Sequence, residues 1–121
     1  MVLVKSTGIR GYTETGELLN AKLGVGLLKS IFFPRSPLHD GAVIIKANEI
    51  AAAGCILPLT QREVDKSLGL RHRAAIGITE STDAISVIVS EEKGSISFVK
   101  DGEIKRRVSR EVLTSLLEEN I

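Results

Sequence analysis

Apolar and polar positions along the chain alternate between two periods, and the switches between them mark the elements. Val2-Leu3-Val4-Lys5 reads as a short strand, followed by a turn-rich stretch from Ser6-Thr7-Gly8 to Thr15-Gly16. From Ala21 onward Leu23, Leu27, Leu28, Ile31 and Phe32 recur at helical intervals, with Asn20 placed to cap that helix and Pro34 and Pro37 to end it. Gly24 and Gly26 each weaken the helix by about 1 kcal/mol relative to alanine, which leaves its start open. Val43-Ile44-Ile45-Lys46 predicts a strand, Ala47-Asn48-Glu49 a turn and residues 50–57 the antiparallel partner.

Thr60-Gln61-Arg62-Glu63 fits a capping box, which predicts a short helix ending near Leu68. After Gly69, residues 71–80 read as a second helix with Ala74, Ala75 and Ile78 toward the core. Ile76-Gly77-Ile78 also carries strand character, but the turn Ser81-Thr82-Asp83 ahead of the stronger strand 84–90 favours the helix. Residues 95–99 and 104–108 form a hairpin through Lys100-Asp101-Gly102-Glu103. Ser109 then caps a last helix whose Val112, Leu113, Leu116 and Leu117 make one stripe. Strands interleaved with helices predict a single α/β domain, a mixed parallel and antiparallel central sheet flanked by helices.

Composition narrows the picture in three places. Of 121 residues 43% are hydrophobic, enough for a core, and 16 basic against 15 acidic residues leave a net charge of +1. No long-range field therefore steers the chain to nucleic acid or to an anionic membrane, and any basic site must be local. The single cysteine, Cys55, lies in a small apolar run and reads as a buried structural thiol of a reducing compartment. No run approaches the roughly 18 apolar residues of a membrane span, and the amino terminus lacks the plan of a signal peptide, so the expectation is a chain without membrane contact of its own.

The chemistry gathers in three stretches. His39 and Asp40 stand where the third strand should begin, followed by Gly41, which has no Cβ to keep a ligand from the backbone. Alone, Asp40-Gly41 reads equally as a turn dipeptide. Arg71-His72-Arg73 opens the second helix, where free N–H groups and the helix dipole attract anions and two guanidinium groups suit phosphate oxygens. The alternative is a solvated basic helix start paired with Glu80 or Asp83. Ser90-Glu91-Glu92 ends a nearly all-apolar strand, the place where ligands collect in open sheets, although a capped turn and solvated acids explain the same residues.

Taken in order, these stretches resemble a known family. Asp40-Gly41-Ala42 and Arg71-His72-Arg73 resemble the DGA and RHR motifs of the diadenylate cyclase (DAC) domain, and Leu57-Pro58-Leu59 and Ser90-Glu91-Glu92 resemble two further signatures. The resemblance runs from about Met1 to Ile121 and is strongest to the membrane-anchored bacterial class. It implies a DAC catalytic domain over residues 1–121, without the amino-terminal helix and membrane spans of that class, in the cytoplasm or on the cytoplasmic side of an anchor.

The implied reaction condenses two ATP to cyclic di-AMP with release of two pyrophosphates. Asp40 with a divalent metal, Mg²⁺ or Mn²⁺, would activate the 3′-hydroxyl. Gly41 and Ala42 would shape the wall by the ribose, and Arg71, His72 and Arg73 would hold the triphosphate. Asp40, His39 and Glu92 are the implied metal ligands, and Ile56, Leu57, Leu59, Leu70, Ser90 and Glu91 the further nucleotide contacts. Two reciprocal attacks imply a face-to-face homodimer. A non-catalytic sensor of ATP or cyclic di-AMP on the same fold is the alternative.

Two positions depart from the family pattern. Leu70 stands where a threonine is common before Arg-His-Arg, and Ile56 where an aromatic residue often packs on adenine. Both changes bear on affinity and base preference more than on the type of reaction.

Overall fold

Alternation along β3 (Ala42–Lys46) sends Ile44 to one face of the sheet and Val43 and Ile45 to the other, and all three are buried. A strand buried on both faces needs helices on both, and the computed structural model supplies them. It describes residues 2–4, 10–33, 35–38, 41–89 and 94–120. The remaining strands are β1 (Val2–Val4), β2 (Glu17–Lys22), β4 (Glu49–Cys55), β5 (Ile85–Val89), β6 (Ile96–Lys100) and β7 (Glu103–Val108). They form one seven-stranded sheet in the order β2-β4-β3-β1-β5-β6-β7, in which β1 and β3 are parallel and every other pair is antiparallel. The mixed sheet expected from the sequence is present.

Helix α3 (Leu70–Ser81) covers one face. Its Ile78 packs with Ile44, Ala52, Cys55 and Ala84, and its Ala75 and Ile76 pack with Ile88 and Val99. Helix α2 (Val25–Phe32) covers Val43, Ile45, Ile50 and Ala53 on the opposite face. Beside α2 on that face, α4 (Arg110–Asn120) covers Ile85, Val87 and Phe98 through Leu113, Leu116 and Leu117. Ser109 Oγ accepts from the Val112 N–H at 3.1 Å, so the expected cap of α4 forms. Val112 itself is exposed and leaves the stripe.

Further readings of the sequence are corrected. Asn20 does not cap α2: it lies in β2 at φ 47, where the pairing with β4 shifts register, and Gly24 caps the helix. The stretch read as turns holds the four-residue helix α1 (Arg10–Thr13), and β2 follows it directly. Strand β4 ends at Cys55 rather than at Leu57.

The capping box at Thr60 builds no helix. Thr60 Oγ1 accepts from the Arg62 N–H at 3.2 Å, while the Thr60 N–H donates to the Arg73 carbonyl at 3.1 Å. Arg62 meets Glu80 at 3.0 Å and donates to the Gly102 carbonyl. These tertiary bonds hold residues 60–62 extended along α3, and local helix propensity loses to them.

The carbonyl of Pro58 lies against Gly77, where a Cβ would overlap its oxygen and stand 3.0 Å from the Leu59 carbonyl carbon. Backbone atoms on both sides cannot rotate away. Gly77→Ala should therefore lower unfolding stability by about 2 kcal/mol or more. Gly26→Ala, in α2 with nothing within 4 Å of the added Cβ, should raise it by roughly 0.5 kcal/mol. Urea unfolding of the two variants checks both signs, and equal effects would remove the Pro58 contact as the cause.

Candidate active site

Sheet register brings the motif stretches to one end. Val2 of β1 pairs with Ile44 of parallel β3 and with Ser86 of antiparallel β5, so the start of β3 and the end of β5 lie at the same edge of the sheet. Ala42 pairs with Cys55, the last residue of β4, and Ile56 and Leu57 follow there. Helix α3 runs back along β5, with Ile78 beside Ala84 and Ala75 and Ile76 beside Ile88, so its first turn also reaches that end.

The junction of β3 and β4 is closed by two glycines. Gly41 has φ +127 and Gly54 φ +66, and a Cβ on Gly41 would stand 2.8 Å from the Gly54 carbonyl carbon. The register shifts between Ala42 and Ile44, and this bulge turns Cys55 onto the face of Ile44 and Ala52. Gly41 thus admits a neighbouring strand, a structural demand that the dipeptide alone did not reveal. Burial raises the pKa of Cys55 above its ordinary value, in keeping with a structural thiol.

Beyond Cys55 the chain is held in place by polar bonds. Thr15 Oγ1, at the end of the segment after α1, accepts from the Ile56 N–H at 2.8 Å. Leu57 packs on the core and Pro58 on Gly77, leaving Ile56, 70% exposed, and Leu59 facing outward. Leu70 is 71% exposed at the first position of α3, one residue earlier than the sequence placed the helix start. Gly69 is the N-cap, and its carbonyl accepts from the Arg73 N–H at 3.1 Å. The N–H groups of Leu70, Arg71 and His72 precede the first helical bond, and no acid lies in that turn.

His72 is half-buried, and burial, then the Arg106 and Arg71 cations, hold its pKa below the ordinary 6.5. Arg73 Nε donates to the Leu68 carbonyl at 3.3 Å. Glu80 pairs with Arg62, so one of the two carboxylates offered as partners for the motif arginines is engaged elsewhere. His39, Asp40, Ser90, Glu91 and Glu92 lie outside the described residues.

Among the described residues no group of three or more His, Cys, Asp or Glu is placed to hold a metal. An open groove of about 530 Å³ lies at the end of α2, lined by Lys29, Ser30, Phe33, Arg35, Ser36 and Pro37. The sequence reading did not single it out; the proline turn that leads to Asp40 forms part of its wall.

A family model described as DisA bacterial checkpoint controller nucleotide-binding, the DAC domain, matches residues 1–104. The chain belongs to the DAC family. It is similar to the cyclic di-AMP synthase CdaA of Bacillus subtilis, 51% identical over 119 residues that span 98% of this chain and 44% of the relative. It is also similar to a diadenylate cyclase of Listeria monocytogenes, 54% identical over 116 residues, 95% of this chain and 42% of the relative. A double mutant of DacA from Staphylococcus aureus superposes with TM-score 0.92 at 47% identity, covering 98% of this chain and 81% of that one.

The DAC chain spans less than half the length of these two curated relatives. Diadenylate cyclases are nucleotide-using enzymes that take ATP, form cyclic di-AMP and need a divalent metal. No helix among the described residues is long and apolar enough to cross a membrane.

The surroundings of His72 give a measurable sign. In the unfolded chain His72 takes up its proton near 6.5, whereas in the folded DAC domain it does so only at lower pH. The unfolded state therefore binds more protons between the two values, and the stability His72 contributes should fall as pH drops below about 6.5. Proton NMR of the imidazole, assigned with His39→Gln, should place its titration below 6.5. A midpoint at or above that value would contradict the burial and the two cations.

Proposed function

We propose that residues 1–121 form a catalytic domain that condenses two ATP to cyclic di-AMP, each 3′-oxygen attacking the α-phosphorus of the other nucleotide while pyrophosphate leaves. The observation that carries the reading is the convergence, in a chain of this family, of Gly41-Ala42, residues 56–59 and the first turn of α3 at one end of the sheet. Asp40, which precedes Gly41 in sequence, and Ser90, which follows Val89, are assigned to the same set in this reading.

In this reading the triphosphate lies against the first turn of α3. The N–H groups of Leu70, Arg71 and His72 meet its oxygens, and Arg71, His72 and Arg73 offset the charge that grows as pyrophosphate departs. Ile56, Leu57, Leu59 and Leu70 form an aliphatic surface for the base. Ser90 and Glu91 contact the nucleotide, Gly41 and Ala42 border the ribose, and Asp40 accepts the proton of the 3′-hydroxyl.

The donor set Asp40, His39 and Glu92, mostly hard carboxylate oxygen, fits Mg²⁺ or Mn²⁺, which would supply charge neutralisation at the phosphates. One site holds one ATP, so turnover requires a second copy of the domain facing the first. In a longer protein the domain would work on the cytoplasmic side of an anchor. A second reading, binding of ATP or cyclic di-AMP without turnover, is favoured by Leu70, which brings no hydroxyl to the phosphates.

Concentrated protein incubated with ATP and Mn²⁺ or Mg²⁺, followed by mass-resolved chromatography, should yield cyclic di-AMP at a rate rising more steeply than linearly with protein concentration. Asp40→Asn should keep the fold and ATP binding while losing about 100-fold or more in rate. Turnover that survives the substitution removes Asp40 from the reaction. ATP binding by the unaltered chain without product, even at concentrations that pair the domain, selects the second reading.

A further inference from the structure

Arg106 belongs to no motif, yet β7 delivers it to the same end of the sheet. Val108 pairs with Ile96, which pairs with Val89 at the end of β5, and the β6–β7 register shifts between Ile96 and Phe98 with Arg107 at φ 56. Arg106 Nη1 is 3.3 Å from Ser67 Oγ and 3.9 Å from Asp65 Oδ2. Those two residues belong to the turn closed by the Leu68 N–H on the Asp65 carbonyl at 3.0 Å, and Gly69, the N-cap of α3, follows at once.

Among the described residues the partners of Arg106 leave part of its guanidinium open. A guanidinium offers five N–H donors. Here a neutral hydroxyl takes one, and a carboxylate at 3.9 Å, already accepting from the Ser67 N–H at 2.8 Å, adds a loose ion pair. The side chain is 43% exposed. Its charge also reaches His72, where after burial it helps, with Arg71, to hold the imidazole pKa below the ordinary value. Arg71, Arg73 and Arg106 gather like charge around one helix start, a conflict that a bound polyphosphate relieves.

We propose that Arg106 is a further phosphate-binding residue of this site, a cation brought from β7 to the polyphosphate of a nucleotide seated on the first turn of α3. The proposal rests on the nucleotide reading of that site. On binding, the guanidinium exchanges its loose contact with Asp65 for phosphate oxygens and keeps its place through Ser67.

Calorimetry with inorganic tripolyphosphate and with ATP tests it on the 121-residue chain. Arg106→Gln, which retains a donor for Ser67 but no charge, should weaken tripolyphosphate binding about tenfold, the worth of one charge-assisted hydrogen bond. Arg106→Ala should do the same and Arg106→Lys should recover part of the loss. Asp65→Asn separates a phosphate ligand from a prop of the turn. It should leave binding unchanged or tighten it, because it removes the competing carboxylate.

Wild-type affinity in Arg106→Gln, an equal loss in Asp65→Asn, or no tripolyphosphate binding by the unaltered chain would each overturn the proposal. Absence of cyclic di-AMP with tripolyphosphate binding intact would strike the catalytic reading alone. Product formation with tripolyphosphate affinity unaffected by Arg106→Gln would strike the Arg106 assignment alone.

Discussion

The contact of the Pro58 carbonyl with Gly77 sets the distance between two parts of the site that lie far apart in sequence. No side chain stands between them, so no rotamer change can open the gap. The Thr60 N–H on the Arg73 carbonyl fixes the same segment one turn nearer the start of α3, and Arg62 ties it onward to Glu80 and Gly102. The crossing of Gly41 and Gly54 performs the corresponding task between β3 and β4. The residues proposed to meet base, ribose and phosphate are therefore held relative to one another by backbone on backbone. Such placement keeps a site in its productive geometry before ligand arrives.

Rigid placement concentrates charge. The first turn of α3 brings helix dipole, Arg71, His72 and Arg73 together, and Arg106 approaches from β7, with Asp65 the carboxylate recorded beside them. Glu80 lies at the other end of α3 and spends its charge on Arg62. A net charge of +1 over 121 residues does not reveal this local gathering of cations. Local concentration, and not overall charge, is what a polyphosphate would meet.

The sequence made the buried elements legible and the irregular ones obscure. β3, β5, β6 and the helices α2, α3 and α4 carry periods long enough to read, and Asp101-Gly102, both at positive φ, turns as its type demands. β2 escaped because Asn20 at φ 47 breaks its alternation, so its residues read as the approach to a helix. The bulges of β4, which seat Ile50 and Ala52 on opposite faces, depend on pairing with β3 and leave no local mark. At Thr60 a genuine capping pattern was present and tertiary hydrogen bonds overrode it. Arg71, His72 and Arg73 were legible as a motif. Arg106 was not, because only the β7 register relates it to them.

The departures at Ile56 and Leu70 change how the proposed site would recognise a base. An aliphatic surface gives up the 0.5–1.5 kcal/mol or so that an aromatic partner adds beyond area, so discrimination among bases falls to polar groups of the segment 56–60. Several of these are already taken. The Ile56 N–H donates to Thr15, Pro58 has no N–H and its carbonyl faces Gly77, and the Thr60 N–H donates to Arg73. Leu57 and Leu59 retain backbone donors and acceptors on the strip that exposes Ile56 and Leu59. Adenine presents an amino donor beside a ring acceptor, and a peptide carbonyl with a neighbouring N–H matches that pair. Guanine, with the two roles exchanged, would set donor against donor there. Base preference in the proposed reaction would accordingly reside in the backbone of Leu57 and Leu59, held in register by the proline carbonyl between them.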